Sequence, residues 1–266
     1  MMNNEIINQQ EKLLLLPSEI IISTMTIHCK FDVKFNIFNI VEYLPINSSQ
    51  IMISDNKKRN KNNKKNVKFF NQVSINIFIL QKVKPISMKL FTNGTIHLTG
   101  CKVINNVIDA LIILFKNLSK ISLTLDNKIQ LVDNIDQLKI ENIKNIKIAM
   151  INCNFTLPFH IDRLKLYHLL EKDNIICSYD SLIHAGVIIR YKYIDNKIIT
   201  ILVFEKGSII ITGGKHSEHI LSAYNFINNY LLNNYILIKK TNINIPDSIL
   251  NYFQNEKIIK SIMQNA

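Results

Sequence analysis

The sequence predicts an α+β protein made of two tandem copies of one unit, each a curved antiparallel sheet backed by helices. The main observation is an internal repeat. The segment MKLFTNGTIHLTGCK, which begins at Met88, is matched without a gap by ILVFEKGSIIITGGK, which begins at Ile201. Phe91 and Phe204 occupy the same position in the two copies, two residues before a Lys or Asn and three before a glycine. The chain has only six glycines, so the match is specific.

Each copy has the pattern of a β-hairpin followed by a helix. A strand ends near the phenylalanine, a tight turn contains Gly94 or Gly207, and a second strand runs to Thr99 or Thr212. A Thr-Gly-x-Lys corner then leads into a segment with apolar residues at helical spacing. These residues are Val107, Leu111, Leu114 and Leu118 in the first copy, and Ile220, Tyr224, Ile227 and Leu231 in the second.

The strands are apolar at nearly every position, as in ITILVF and SIIIT of the second copy. A sheet with one wet face normally alternates apolar and polar residues. If helices cover one face, the other face still presents Ile and Leu side chains. We therefore expect the uncovered face to meet a partner.

Charge and composition limit the kinds of partner and the class of protein that we expect. The net charge of +12 suits a polyanionic partner, but seven of the basic residues lie in Asn56–Lys68, which leaves +5 on the rest. That segment is either a solvated loop that reflects compositional bias or a binding arm. The longest apolar run, Ala110–Phe115, is too short to cross a membrane. The four widely spaced cysteines favour reduced thiols.

Other chemistry is not indicated. His216 and His219 could share one helical turn, but no third ligand lies near them in sequence, so we expect no metal site. No phosphate-binding loop or nucleophile motif is present in the sequence. We therefore expect no enzymatic activity and no cofactor.

The repeated hairpin resembles that of the TATA-box-binding protein family, L-I-F-x-S-G-K-[MI]-V-[VL]-T-G-A-K. Further segments resemble the family in the same order along the chain. They are Ile21–Lys34, the Glu42-Tyr43 pair followed by Pro45, Lys144–Ile146, Leu157–Leu164 and His184–Arg190. The resemblance covers about residues 18–240.

The resemblance implies a saddle-shaped sheet with helices on its convex face. It implies a first repeat over residues 16–134, with a basic insertion at 54–68, and a second repeat over 137–240. Residues 1–15 and 241–266 would be terminal extensions. The insertion could add electrostatic affinity or act as a nuclear-import signal.

The resemblance also implies that the concave face binds the minor groove of double-stranded DNA and bends it. Four side chains would act as wedges between base pairs: Phe70 (or Phe69 in an alternative register), Phe91, His184 and Phe204. His184 stands where the family has phenylalanine. A histidine can still stack on a base, but it is smaller and more polar.

The remaining implied DNA contacts are of three kinds. Asn145 matches a central asparagine, and Thr99 and Thr212 match a pair of threonines beside it. Ile22, Leu202 and Ile210 match the apolar floor, whereas Lys102, Lys215 and Arg190 match phosphate-contacting cations. The chain departs from the family pattern at Ile20, Lys89, His97 and Lys147.

These features predict a transcription initiation factor that binds and bends A·T-rich promoter DNA. The implied partners are that DNA, a IIB-type initiation factor and RNA polymerase, with no membrane. The implied location is the nucleus, or a cytoplasmic viral factory or virion if the Ile/Asn/Lys bias reflects a large DNA virus. One alternative is a protein-interaction subunit of a transcription complex with weakened or lost DNA binding. Another is a nucleic-acid-binding module in repair or RNA processing.

Overall fold

Ten strands form one antiparallel sheet, in the order β2-β3-β4-β5-β1-β6-β10-β9-β8-β7. The computed structural model describes residues 11–44, 50–53, 71–80, 82–124 and 129–240. The strands are β1 Ile21–Lys30, β2 Ile51–Ile53, β3 Gln72–Ile77, β4 Ile86–Phe91, β5 Thr95–Cys101, β6 Lys144–Thr156, β7 Cys177–Ser178, β8 Gly186–Lys192, β9 Ile198–Phe204 and β10 Ser208–Gly214. The helices are α1 Ile37–Tyr43, α2 Ile104–Thr124, α3 Arg163–Lys172, α4 Ser217–Asn233 and α5 Tyr235–Ile238.

The sheet consists of two similar halves that meet where β1 pairs with β6. On one side of this junction lie β5, β4, β3 and β2, and on the other lie β10, β9, β8 and β7. Each half contains a short helix after its first strand and a long helix after its last strand. Two short 3-10 turns, Ile135–Gln137 and Ile140–Asn142, lie on the connection between the halves.

The two halves align in sequence with two different offsets, one for the first strand of each half and another for the hairpin. The Phe31 amide donates to the Gly94 carbonyl, as the Leu157 amide donates to the Gly207 carbonyl. Phe31 and Leu157 lie 126 residues apart, whereas Gly94 and Gly207 lie 113 apart. The first half is therefore longer between its first strand and its hairpin. Most of the extra length lies between β2 and β3, at residues 54–71, where the second half has only residues 179–185.

Helices cover one face of the sheet and create the core. In β5 the covered face carries Ile96 and Leu98, and in β10 it carries Ile209 and Ile211, all fully buried. The residues predicted to line the inner side of α2 and α4 are also buried, which confirms the helical spacing read from the sequence. The predicted α+β class is confirmed.

The hairpin glycines are required by the backbone. Gly94 and Gly207 have φ of 82° and 80°, which side-chain-bearing residues rarely adopt. A Cβ at Gly94 would lie 2.2 Å from the Phe31 carbonyl oxygen, and one at Gly207 would lie 2.4 Å from that of Leu157. The glycines thus let each hairpin tip pack against the end of the first strand of its half.

Several parts of the chain lie outside the described residues. They include the basic segment 54–68, Phe69 and Phe70, the C-terminal residues 241–266 and the first ten residues. Among the helices that the structure describes, none is long and apolar enough to cross a bilayer.

Replacing Gly94 or Gly207 by alanine should destabilise the fold by at least about 3 kcal/mol, because strain from positive φ adds to a backbone clash. Gly213→Ala is the matched control. Gly213 also has a positive φ of 94°, but its Cβ would lie 3.6 Å from the nearest carbonyl oxygen. The control should cost only about 1–2 kcal/mol, from the positive φ alone. Urea unfolding measures the three free energies, and equal losses would contradict the clash.

Candidate nucleic-acid interface

We call the face of the sheet opposite the helices the open face. On each side of the junction between the halves, it carries a row of side chains from neighbouring strands. On the side of the first half, the paired residues run from β4 across the junction to β6: Lys89 opposite His97, His97 opposite His28, and His28 opposite Lys147. We call Lys89, His97, His28 and Lys147 the cationic row. In the second half, Ile188 lies opposite Leu202, and Leu202 opposite Ile210. We call Ile188, Leu202 and Ile210 the aliphatic row.

The two rows occupy equivalent places. Leu202 and Ile210 follow Lys89 and His97 by the hairpin offset of 113 residues. The aliphatic row continues from Ile210 to Asn154 of β6 and Ile21 of β1. With the offset of 126 residues, Asn154 corresponds to His28, and Lys147 corresponds to Ile21. The same positions therefore carry nitrogen-bearing side chains in one half and mainly aliphatic ones in the other.

A polar row lies next to each of these rows. In the first half it contains Ser87, Thr99 and Thr26, and the last two hydroxyls lie 3.5 Å apart. In the second half it contains Arg190, Thr200, Thr212 and Asn152. The Arg190 guanidinium donates to the Thr200 hydroxyl at 2.6 Å, and the Thr212 hydroxyl donates to the Asn152 side chain. These rows supply hydroxyls and amides near the junction of the halves.

His28 and His97 stack face to face, with their ring centroids 3.6 Å apart and nearly parallel planes. Partial burial, followed by the charges of His28, Lys89 and Lys147, lowers the pKa of His97 to about 4. Partial burial, followed by the charge of Lys147, lowers the pKa of His28. Partial burial, assisted by the lysines of the row, thus favours the neutral form of both stacked imidazoles.

Phe91 and Phe204 end β4 and β9 on the open face. The Phe91 ring lies 4.7 Å from the ring of His97. The Phe204 ring lies 6.0 Å from that of His184. It also lies over Gly186, where an added Cβ would come within 3.1 Å of it. Each hairpin tip therefore presents one phenylalanine beside the outer part of the open face.

A network of charged side chains holds the second hairpin tip. Arg163 donates to the Ala185 carbonyl at 2.6 Å and to Glu205 at 2.7 Å. Lys240 donates to the same carboxylate at 2.7 Å, and this hydrogen bond is the main cause of the lowered pKa of Glu205. Since Glu205 follows Phe204 and Ala185 follows His184, these contacts fix the positions of both aromatic residues.

The ring of His184 is turned towards the backbone of Gly186. Its Nδ1 lies 3.1 Å from the Gly186 amide, which donates to it, and 3.0 Å from the Gly186 carbonyl oxygen. The preceding turn exposes Leu182 and Ile183, at 95% and 82% of their surface. The second end of the face thus combines one phenylalanine, a constrained histidine and two exposed aliphatic residues.

The strands carry charge of one sign. In the ten strands that the structure describes, no residue is Asp or Glu, whereas six are Lys or Arg. The basic residues are Lys30, Lys89, Lys144, Lys147, Arg190 and Lys192. Of these, Lys144 forms an ion pair with Asp32 just beyond β1. A polyanion could therefore approach the open face without repulsion from acidic residues in the strands.

The sequence of this chain is similar to those of known proteins. Residues 145–233 match the model of the family described as transcription factor TFIID (or TATA-binding protein, TBP). A TATA-box-binding protein-like protein of Acanthamoeba polyphaga mimivirus is 32% identical over 287 residues, which cover 89% of this chain and 75% of that protein.

The chain belongs to the TATA-box-binding protein family. Methanococcus jannaschii TBP has a similar fold, with a TM-score of 0.50 and 17% sequence identity. The similarity covers 81% of this chain and 99% of the archaeal one. A transcription-related function follows from membership of the family.

Most residues that the family resemblance singled out lie on the open face. Phe91, Phe204, Thr99 and Thr212 do so, and so do Leu202, Ile210 and Arg190. Lys102 and Lys215 lie instead at the corners that lead into α2 and α4. Phe70 lies outside the described residues. It precedes Gln72 by two positions, as His184 precedes Gly186, so the sequence register supports matching the two.

The placement of Ile22 on the floor of the open face was wrong. Ile22 pairs with the buried Cys153 and lines a cleft with Leu13 and Ile20 on the helical side. A β-bulge between Ile22 and Thr24 shifts the alternation of β1 by one residue. The exposed neighbour Ile21 takes the place on the open face, opposite Asn154.

The central position predicted for Asn145 was also wrong. Asn145 lies near the outer end of β6, next to Lys144, which pairs with Lys30 at the end of β1. Its φ of 49° marks an irregularity there. At the junction of the halves, β6 instead presents Met150 opposite Thr26 and Asn152 opposite Thr24. The sequence match to the family was displaced because β6 contains bulges.

The sequence reading missed the open-face residues His28, Asn152, Asn154, Ile188 and Thr200 as candidate contacts. The signal that identifies those on β1 and β6 is the second repeat offset. Aligning Ile27–Phe31 with Cys153–Leu157, 126 residues later, pairs His28 with Asn154 and places both on the open face.

His219 has a structural environment. It is buried, its Nε2 lies 3.1 Å from an Asp195 carboxylate oxygen, and its Nδ1 accepts from the Lys215 amide. Within the described ranges, no three His, Cys, Asp or Glu side chains are grouped as metal ligands.

The stacking of His28 and His97 leads to a prediction for the titration of His97. By NMR, the pKa of His97 should be about 4, against the ordinary 6.5. The double variant Lys89→Met/Lys147→Met should raise it only partly, because burial is the larger cause. Lys172→Met, on α3, should leave it unchanged. Since the unfolded chain binds this proton first, protein stability should fall as the pH decreases from about 6.5 to about 4. A His97 pKa near 6.5 in the wild type would contradict the stacked, shielded geometry.

Proposed function

We propose that this chain is a transcription initiation factor that binds A·T-rich promoter DNA by laying its open face along the minor groove and bending the duplex. The observation that carries the proposal is the open face itself. Its strands contain no acidic residue where described, six basic residues and a row of partly exposed aliphatic side chains. A surface of this kind suits a polyanion that has negatively charged groups on either side of an uncharged groove floor.

The minor groove of DNA has this arrangement. Its walls are phosphates, whereas its floor consists of base edges with N3 and O2 acceptors at A·T pairs. G·C pairs add an amino group, which Leu202 and Ile210 could not satisfy by hydrogen bonding. Burying that donor would cost free energy, so the aliphatic row favours A·T pairs. The easy deformation of TA steps favours the same sequences.

The two hairpin phenylalanines are placed to act as wedges. Phe91 and Phe204 lie at opposite ends of the open face, and packing of the hairpin tips on the ends of β1 and β6 fixes them. Inserting an apolar side chain between base pairs costs a few kcal/mol of stacking, which contacts along the bent duplex repay. Leu182 and Ile183, next to His184, add exposed apolar surface at the second end.

The helical side leaves room for protein partners. Phe38 on α1 and Leu232 on α4 are exposed there, at 61% and 48% of their surface. Because DNA would occupy the opposite face, both surfaces could be used at once. We propose a IIB-type initiation factor and RNA polymerase as the partners. The site of action would be wherever promoter DNA is transcribed, the nucleus or a viral factory.

A protein-interaction subunit without autonomous DNA binding is the second candidate. The cationic row favours it, because lysines replace apolar residues on half of the floor. The constrained His184 in place of a phenylalanine favours it as well. The two candidates differ in whether the purified chain bends DNA.

Fluorescence energy transfer between the ends of an A·T-rich duplex tests the proposal. The wild type should bend the duplex, and Phe91→Ala/Phe204→Ala should abolish the bend and lower affinity by about tenfold or more, from lost stacking. Phe38→Ala is the matched control, since it removes an exposed phenylalanine on the helical side.

The control should bend DNA like the wild type. Binding by the wild type with no bend, a steep salt dependence and no effect of the double variant would indicate attraction to the phosphates alone. The absence of any binding would favour the interaction subunit.

A further inference from the structure

At equivalent positions of the open face, one side carries hydrogen-bond donors and the other carries aliphatic side chains. Lys89 and His97 occupy the places of Leu202 and Ile210, and Lys147 occupies that of Ile21. A neighbouring polar row, by contrast, carries threonines at matching positions, Thr99 and Thr212. The chemical difference between the halves is largest in the row that contains the histidine stack.

This difference matters when a partner removes water from the face. A buried ammonium or imidazole N–H must be given a hydrogen-bond acceptor, or its desolvation opposes binding. An aliphatic side chain needs no acceptor. The cationic row therefore binds favourably only where acceptors lie in front of it, whereas the aliphatic row does not require them.

The cationic row is built to present donors in fixed positions. Its four side chains come from four adjacent strands, which lie about 4.8 Å apart. The His28–His97 stack and the contact of Phe91 with His97 hold the two imidazoles in place. A neutral imidazole still donates one N–H, and each lysine donates up to three.

We propose that the cationic row, which crosses from the first half onto β6, recognises the minor groove by donating hydrogen bonds from Lys89, His97, His28 and Lys147 to the N3 and O2 acceptors of A·T pairs, whereas the aliphatic row recognises it by apolar contact. The proposal rests on the function proposed above. It has a geometric consequence, because a chain with two different halves distinguishes the two ends of its site. On an asymmetric site, the cationic row would bind the end that is richer in N3 and O2 acceptors.

Three duplexes of one palindromic A·T sequence test the proposal. The first is unmodified, the second carries 3-deazaadenine in one half, and the third carries it in both halves. 3-Deazaadenine removes the N3 acceptor and adds no amino group. On the half-modified duplex the chain can turn round, so the affinity of the wild type should fall by no more than about twofold. On the fully modified duplex it should fall by about tenfold or more.

The double variant Lys89→Leu/His97→Ile places the second half's own residues in the first half. It should reduce the penalty of the fully modified duplex to a few-fold, because only His28 and Lys147 of the row still require acceptors. Lys172→Leu, on the helical side, is the control and should keep the wild-type pattern. If the double variant does not fold, Lys147→Ile, which introduces the residue found at the equivalent position 21, should reduce the penalty of the fully modified duplex.

The outcomes separate this inference from the proposed function. Equal wild-type affinity for all three duplexes would overturn the inference and leave the function intact. A tenfold loss on the half-modified duplex would also overturn it, because both halves would then need acceptors. If the double variant folds and keeps the full penalty, the donors lie elsewhere and the inference fails. No binding to the unmodified duplex would instead overturn the proposed function.

Discussion

The antiparallel pairing of β1 with β6 is the interaction on which the rest of the structure depends. Without it, each half would be a five-stranded sheet with an unpaired edge, which proteins usually cover or blunt. The pairing joins both edges and makes one sheet of ten strands. It also brings His28 next to Lys147 and Asn154 next to Ile21, so both rows of the open face cross it. The interface candidate is therefore a product of the junction and belongs to neither half alone.

The two halves share a backbone plan but differ in what they offer to a partner. The match to the family model covers residues 145–233, the part of the chain that carries the aliphatic row on β8, β9 and β10. The first half keeps the hairpin, its glycine and its phenylalanine. It places Lys89 and His97 where the second half has Leu202 and Ile210. A fold can preserve its covered core while the open face changes, because alternate residues of a strand point to opposite sides.

The sequence predicted the parts of the site that depend on short-range patterns. A turn glycine and strict alternation fix Phe91, Thr99, Phe204 and Thr212 relative to one another, and the structure places all four on the open face. Bulges have no clear sequence signature, so Ile22 was assigned to the wrong face. A bulge also displaced the match at Asn145. The cationic row could not be predicted from local patterns, because its members come from four strands that are distant in sequence.

Side-chain footprinting by hydroxyl radicals, with and without an A·T-rich duplex, tests the use of the open face most directly. The account predicts that DNA protects Phe91, Leu202, Phe204 and Ile210 from oxidation. It also predicts that Phe38 and Leu232, exposed on the helical side, react as before. Protection of Phe38 and Leu232 with unchanged oxidation of the open-face residues would contradict the account, because DNA would then lie against the helices.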